Sequence, residues 1–182
     1  MRVLAFSGSP RARGNTRTLV DEVIRGASNS GAACEVVDIC SLNIAPCRAC
    51  GSCSGTGHCV QKDDMEKLYS SILESDAFVF GTPVYFWGPS AQMKAFIDRW
   101  YAIANSDGAR KLQGKKAAVV TAYGDTDPET PEHVIGMFRK ALDYLKIDLV
   151  GTLGVTASDP GDARANSDAM HEAYGLGQGL CE

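Results

Sequence analysis

Four short apolar runs recur along the chain: RVLAFSG (residues 2–8), DAFVFGTPV (76–84), KKAAVVTAYG (115–124) and DLVGTLGVT (148–156). Runs this short and this continuously apolar read as strands covered on both faces, the situation of a parallel sheet. A fifth run, ACEVVDIC (33–40), alternates more. Between the runs lie apolar stripes at helical three–four spacing. They are Leu19, Val20, Val23, Ile24 and Ala27; Met65, Leu68, Tyr69, Ile72 and Leu73; Met93, Phe96, Ile97, Trp100 and Tyr101; and Val134, Phe138, Ala141, Leu142 and Leu145. A last helix is expected over about 163–176, with Gly175, Gly177 and Gly179 fraying its tail.

Strand and helix alternate throughout, which calls for a parallel sheet with helices on both faces. Five strands favour the doubly wound, flavodoxin-like α/β order 2-1-3-4-5. The 182 residues show no repeat and no composition break, so one domain, 1–182, is expected. An apolar fraction of 45% builds a core that needs no covalent staple. The net charge of −4 excludes the basic face of a nucleic-acid binder. No apolar run approaches the ~20 residues that cross a membrane. The opening MRVLAFSGSP has too short an apolar stretch for a secretory signal. A cytoplasmic, reducing location is expected, where disulfides are disfavoured.

Ligands of such sheets sit at the carboxyl ends of the strands, beside the point where strand order reverses. That point lies between the first and third strands. The loop after the first strand, SGSPRARGNTRT, carries Ser7, Ser9, Asn15 and Thr16 at a helix N-terminus, a setting suited to phosphate. Gly14 is followed by Asn15 and not by lysine, so this is no Walker loop, and Gly8 and Gly14 do not fit a dinucleotide fingerprint. A mononucleotide phosphate held without magnesium, as in FMN, fits best; a polar turn with Asn15 or Thr16 as helix cap is the plainer reading. After the third strand, Pro83, Val84, Tyr85, Phe86, Trp87, Gly88 and Pro89 place three consecutive aromatics on a loop. A flat ring system would stack on them; a cluster capping the core, or a dimer surface, would equally occupy them. Tyr123, Gly124 and Asp125 follow the fourth strand and form a third wall, ahead of a helix capped near Thr130 with Pro131 at its first position.

One connection is overlong: about 22 residues separate the second strand from the helix near Asp64. Residues 41–63 hold PCRACGSCSGTGHCV, with Cys47, Cys50, Cys53 and Cys59 inside thirteen positions. Successive x2 intervals let a chain curl around a metal cluster. His58 keeps a Cys3His zinc site open, and Cys50/Cys53 keeps a redox dithiol open; free thiols are the plain alternative. Cys34, Cys40 and Cys181 are expected to be buried or incidental. His133 and His171 are expected on solvated helix faces, and Trp100 and Tyr101 in the core or a subunit contact.

GSPRARGNT, GTPVYFWGPSAQMKAFIDR, KDDM (62–65) and the cysteine loop resemble the NAD(P)H-dependent FMN reductase family, in its iron–sulfur flavoprotein branch, over about residues 1–125. The resemblance implies a flavodoxin-like fold with non-covalent FMN. It assigns the phosphate to Ser9, Arg11, Asn15, Thr16 and Arg17. It lays Pro83, Val84, Tyr85, Phe86, Trp87 and Gly88 along the isoalloxazine, with Tyr123, Gly124 and Asp125 opposite. It gives Cys47, Cys50, Cys53 and Cys59 to a [4Fe–4S] cluster. It also implies NAD(P)H as donor and a homodimer or homotetramer with the flavin near a subunit boundary. The expected activity is an FMN-dependent oxidoreductase taking electrons from NAD(P)H or a protein donor through flavin, with a cluster beside it, to an acceptor. No side-chain acid or base is needed, so no catalytic residue is assigned. The rival readings are an electron carrier without its own substrate, a cluster-free quinone, azo or nitro reductase, and a non-enzymatic metal-binding module.

Overall fold

A computed structural model describes all residues, 1–182. Five strands, β1 (Arg2–Ser7), β2 (Ala33–Asp38), β3 (Ala77–Pro83), β4 (Lys116–Tyr123) and β5 (Asp148–Thr156), form one parallel sheet in the order β2-β1-β3-β4-β5. The expected strands stand within two residues of their positions. β2 stops early for a local reason. The Asp38 carboxylate accepts from the Cys40 N–H at 3.0 Å and turns the chain into a 3-10 turn, Ile39–Ser41.

The strand residues divide by parity. Val3, Ala5, Val79, Ala118 and Val120 face one side and pack under α1 (Asn15–Asn29) and α8 (Ser167–Gly179). Leu4, Phe6, Phe78, Phe80, Ala117 and Val119 face the other, under α2 (Met65–Glu74), α3 (Ala91–Arg99) and α6 (Glu132–Leu145). Small residues on the first side let α1 lie close to the sheet. On the second side the rings of Phe6, Phe78, Phe80, Phe96, Trp100 and Phe138 interlock, with Phe6 and Phe96 centroids 4.6 Å apart. Each such ring contributes about 1.5–3 kcal/mol by leaving water. Short helices α4 (Tyr101–Ala104), α5 (Gly108–Leu112) and α7 (Asp162–Ala165) complete the order.

The frayed C-terminal tail is not observed. α8 continues to Gly179 and packs along α1. Gly177 abuts the Val23 carbonyl and Gly26 abuts the Tyr174 carbonyl, with no room for a Cβ on either. Pro131 sits one position earlier than expected, at the cap of α6, and its carbonyl accepts from Ile135 N–H at 3.0 Å.

Candidate functional site

The loops after β1, β3 and β4 meet at the carboxyl edge of the sheet, and one buried network holds the first two together. Ser90 caps α3 by accepting from Met93 N–H at 3.2 Å, and its hydroxyl donates to the Gly8 carbonyl at 2.6 Å. The Ser90 N–H donates to Thr82 Oγ1 at 3.0 Å, and the Gly8 N–H to the Gly81 carbonyl at 2.7 Å. A Cβ on Gly8 would stand 2.9 Å from Met93 Cβ, so this crossing requires glycine.

Between these loops lies a cavity of ≈ 240 Å³ whose lining includes Ser9, Arg11, Gly14, Asn15 and Thr16 from the first loop and Pro83, Val84 and Tyr85 from the third-strand loop. Its floor is Gly14–Thr16. Gly14 caps α1 with no side-chain acceptor, and the first turn holds no acidic residue. The backbone N–H groups of Asn15, Thr16 and Arg17 therefore end unpaired, as first-turn donors do. A helix start without its own anion, next to the buried hydroxyl-bearing Ser9 and Thr16, is a setting that favours an anion.

Two expected phosphate contacts change character. The Asn15 side chain is used up elsewhere: its amide donates to the carbonyls of Ala157 (3.1 Å) and Asp159 (2.8 Å), and its oxygen accepts from Gly161 and Ala163 N–H. Asn15 pins the loop after β5 to the cleft and leaves only its backbone N–H for an anion. Arg17 Nε donates to Asp21 at 2.7 Å along the outer face of α1, so its side chain does not line the cleft. Arg11 does line it.

A second cavity, also ≈ 240 Å³, continues from the first and shares Val84, Tyr123 and Gly124 with it. Phe86, Trp87, Asp125 and Thr130 complete its lining. Tyr85 and Gly88 exchange two backbone hydrogen bonds, Tyr85 N–H to Gly88 at 2.8 Å and Gly88 N–H to Tyr85 at 3.0 Å. Phe86 and Trp87 form the tip between them with φ of 47° and 58°. Positive φ at both central residues is the pattern of a type I′ hairpin turn. The turn holds Phe86 96% and Trp87 54% exposed, which removes the core-capping alternative. Gly88 closes the turn and does not line the pocket. Asp125 on the facing wall accepts from Thr130 Oγ1 at 2.7 Å and from Asp127 N–H at 3.1 Å, so its carboxylate is held in place.

Sequence reasoning missed Ala122, Thr130, Ala157 and Ser158 in these walls. The signal for the last two was the strand order itself, which sets the end of β5 beside the end of β4. Ser158 donates to the Gly124 carbonyl at 2.7 Å across that gap.

Cys47, Cys50, Cys53 and Cys59 all line a separate cavity of ≈ 380 Å³, with Val60, Gln61, Asp98 and Tyr101 among its other walls. Ala49, Gly51, Gly55 and Gly57 take positive φ and curl the loop round it. The Ala49 N–H donates to Cys47 Sγ at 3.4 Å. Burial, then the neighbouring Cys59, Cys47 and Cys50, pushes the Cys53 thiol up. The Ser52 hydrogen bonds, aided by Arg48, pull Cys50 down. No three His, Cys, Asp or Glu side chains close in tightly enough for a single metal ion, and His58 opens onto a different cavity. Four thiols ringing one space, with an N–H···S bond, is a donor set for a polynuclear iron–sulfur group more than for lone zinc.

The cysteine cavity shares no lining residue with the cleft. Along α3, Ser90 borders the cleft loops and Asp98 borders the thiols, eight residues or about 12 Å of helix rise apart. The thiols thus border the C-terminal end of α3. Tyr101, expected in the core or a contact, is 48% exposed at this cavity, while Trp100 is buried. His133 and His171 are exposed, and Cys34, Cys40 and Cys181 are partly buried free thiols, as expected.

This fold defines a flavodoxin-like α/β protein, with its cleft at the strand-order reversal. A sequence model of the NADPH-dependent FMN reductase family matches residues 1–151. An iron–sulfur flavoprotein of Archaeoglobus fulgidus is 34% identical over all of this chain and 80% of its own length. One of Methanocaldococcus jannaschii is 30% identical over all of this chain and 96% of its own. Among solved structures, an NAD(P)H:quinone oxidoreductase from Methanothermobacter marburgensis superposes with a TM-score of 0.79, covering 99% of this chain and 96% of that one at 19% identity. The chain belongs to the NADPH-dependent FMN reductase family of oxidoreductases, and its relatives include iron–sulfur flavoproteins.

Proposed function

We propose that the chain holds FMN in the cleft and passes electrons from NAD(P)H or a protein donor, through the flavin, to an acceptor. The observation that carries this reading is the continuity of the two cavities. The unpaired N–H groups of Asn15, Thr16 and Arg17 at the start of α1 join, through Val84, Tyr123 and Gly124, to the exposed Phe86–Trp87 turn. Bound FMN would supply the two-electron to one-electron conversion that no side chain provides. Ser9, Thr16 and the α1 N-terminus hold the phosphate, with Arg11 beside it. Val84, Phe86 and Trp87 bear on one side of the ring and Tyr123 to Asp125 on the other. The open face at Phe86 leaves the ring accessible to a second flat molecule.

Cys47, Cys50, Cys53 and Cys59 would hold a [4Fe–4S] cluster, which when bound supplies a one-electron store. Ala49 N–H on the Cys47 sulfur would favour its reduced, more negative state. The reading places no proton at a side chain, so no catalytic acid or base is assigned. The expected assembly is a homodimer or homotetramer in a reducing, cytoplasmic setting.

The test is an absorption spectrum of anaerobically purified protein with flavin, iron and sulfide analysis, followed by NADH and NADPH oxidation. One FMN per chain, about four iron and four sulfide, and flavin bleaching by a pyridine nucleotide are expected. Flavin without iron supports a cluster-free reductase. Colourless protein that takes up no FMN would falsify the reading.

A further inference from the structure

The overlong loop is closed at its base by a buried ion pair. Arg99, at the end of α3, and Asp63, just before α2, have side chains 1% and 5% exposed. Arg99 grips Asp63 with both terminal nitrogens, at 2.6 and 3.1 Å, and also donates to the Ala45 carbonyl at 2.8 Å. The same carboxylate accepts from Ala45 N–H at 3.1 Å and from Met65 N–H at 3.1 Å. Next to it Asp64 and Asn43 exchange two further bonds, Asn43 N–H to the Asp64 carboxylate at 2.8 Å and Asp64 N–H to the Asn43 carbonyl at 3.1 Å. Gln61 reaches back to the Pro46 carbonyl at 3.2 Å. Residues 43–46 and 61–65 are thus zipped together, and the cysteine lobe hangs from the seam.

A buried ion pair is a poor source of stability, since desolvation offsets most of its attraction, while well-packed apolar residues often do as well. Here burial alone would raise the Asp63 carboxyl, yet the hydrogen bonds from Arg99 and the amides hold it below the ordinary range. The pair is therefore kept ionised, and its five bonds all fall on the lobe's two ends. Cys47 lies two residues beyond Ala45, and Cys59 four residues before Asp63. Fixing that seam limits how far apart the first and last thiols can lie.

We propose that Arg99 and Asp63 are positioning residues for the four-cysteine site, presetting Cys47 and Cys59 for an iron–sulfur cluster before any iron arrives. This rests on the cluster reading above. Outer partners of metal ligands matter to affinity in this way because they hold ligand geometry.

The test compares the full-length flavin-loaded protein with Asp63→Asn and Arg99→Lys. Iron and sulfide per FMN, and the rate of iron release to a chelator, are read after anaerobic reconstitution. Amide exchange at Asn43 and Ala45 is read on the iron-free protein. Asp63→Asn is expected to release iron roughly ten- to hundred-fold faster and to lose protection at the Ala45 amide, with FMN content and strand-amide protection unchanged. Arg99→Lys keeps the charge without the fork and should fall between wild type and Asp63→Asn. Folded variants that release iron at the wild-type rate, or that keep the Ala45 amide protected, overturn the proposal. Wild-type protein that takes up no iron sinks the cluster reading instead, and with it the proposed purpose of the clamp, while the exchange data still report the seam.

Discussion

Phe86 and Trp87 carry the least comfortable backbone in the cleft. Their φ values of 47° and 58° lie where bulky L-residues are disfavoured by about 1–2 kcal/mol each. Asn-Gly is the ordinary choice for such a turn. Rings held outward at that cost, with Phe86 wholly in water, point to an external partner, a flat ring system or a second subunit. Replacing them as F86N/W87G should therefore separate stability from binding. The variant is expected to unfold at higher denaturant, by about 1 kcal/mol or more of relieved strain. It should bind FMN up to roughly tenfold more weakly, since a lost stack is worth about 0.5–1.5 kcal/mol. Denaturant melts and flavin titration by fluorescence measure the two effects. Unchanged FMN affinity would show that the rings serve another surface.

At the scale of elements, the contact between α1 and α8 inverts the local reading of glycine. Propensity treats Gly175, Gly177 and Gly179 alike, as weak helix formers near an end. Only the partner helix distinguishes them. Gly177 abuts the Val23 carbonyl, whereas a Cβ on Gly175 or Gly179 would meet nothing. Gly177→Ala should gain about 1 kcal/mol of helix propensity and still lower the unfolding midpoint, because overpacking costs about 1–3 kcal/mol. Gly179→Ala should be neutral or stabilising. A Gly177→Ala protein more stable than its parent would mean that the helix tail is free. The same distinction explains what was legible in the cleft. Ser9, Thr16, Val84 and Tyr123 could be found because strand ends and topology place them, and Arg11 through the family resemblance. The commitment of the Asn15 amide to residues 157–163 could not, because that loop lies far along the chain and has no motif of its own.

For the whole molecule, strand order followed from apolar runs that only a doubly covered sheet can bury, so it needed no long-range information. The course of residues 42–64 did. It depends on Arg99 meeting Asp63 across 36 residues, a pairing that neither charge would reveal alone. That pairing ties the base of the cysteine lobe to the C-terminal end of α3. The consequence is two sites on one chain with no common wall. Loss of one should leave the other intact. Replacing Cys47, Cys50, Cys53 and Cys59 together by serine is expected to abolish iron and sulfide. FMN stoichiometry and affinity should stay within about twofold, below 0.5 kcal/mol, because β1, β3 and β4 and the Ser90 network hold the cleft without the lobe. Flavin titration and metal analysis on the same sample decide it. A large loss of FMN affinity in a protein whose sheet still gives a native circular-dichroism spectrum would mean that the cysteine lobe supports the flavin site by a route the cleft contacts do not contain.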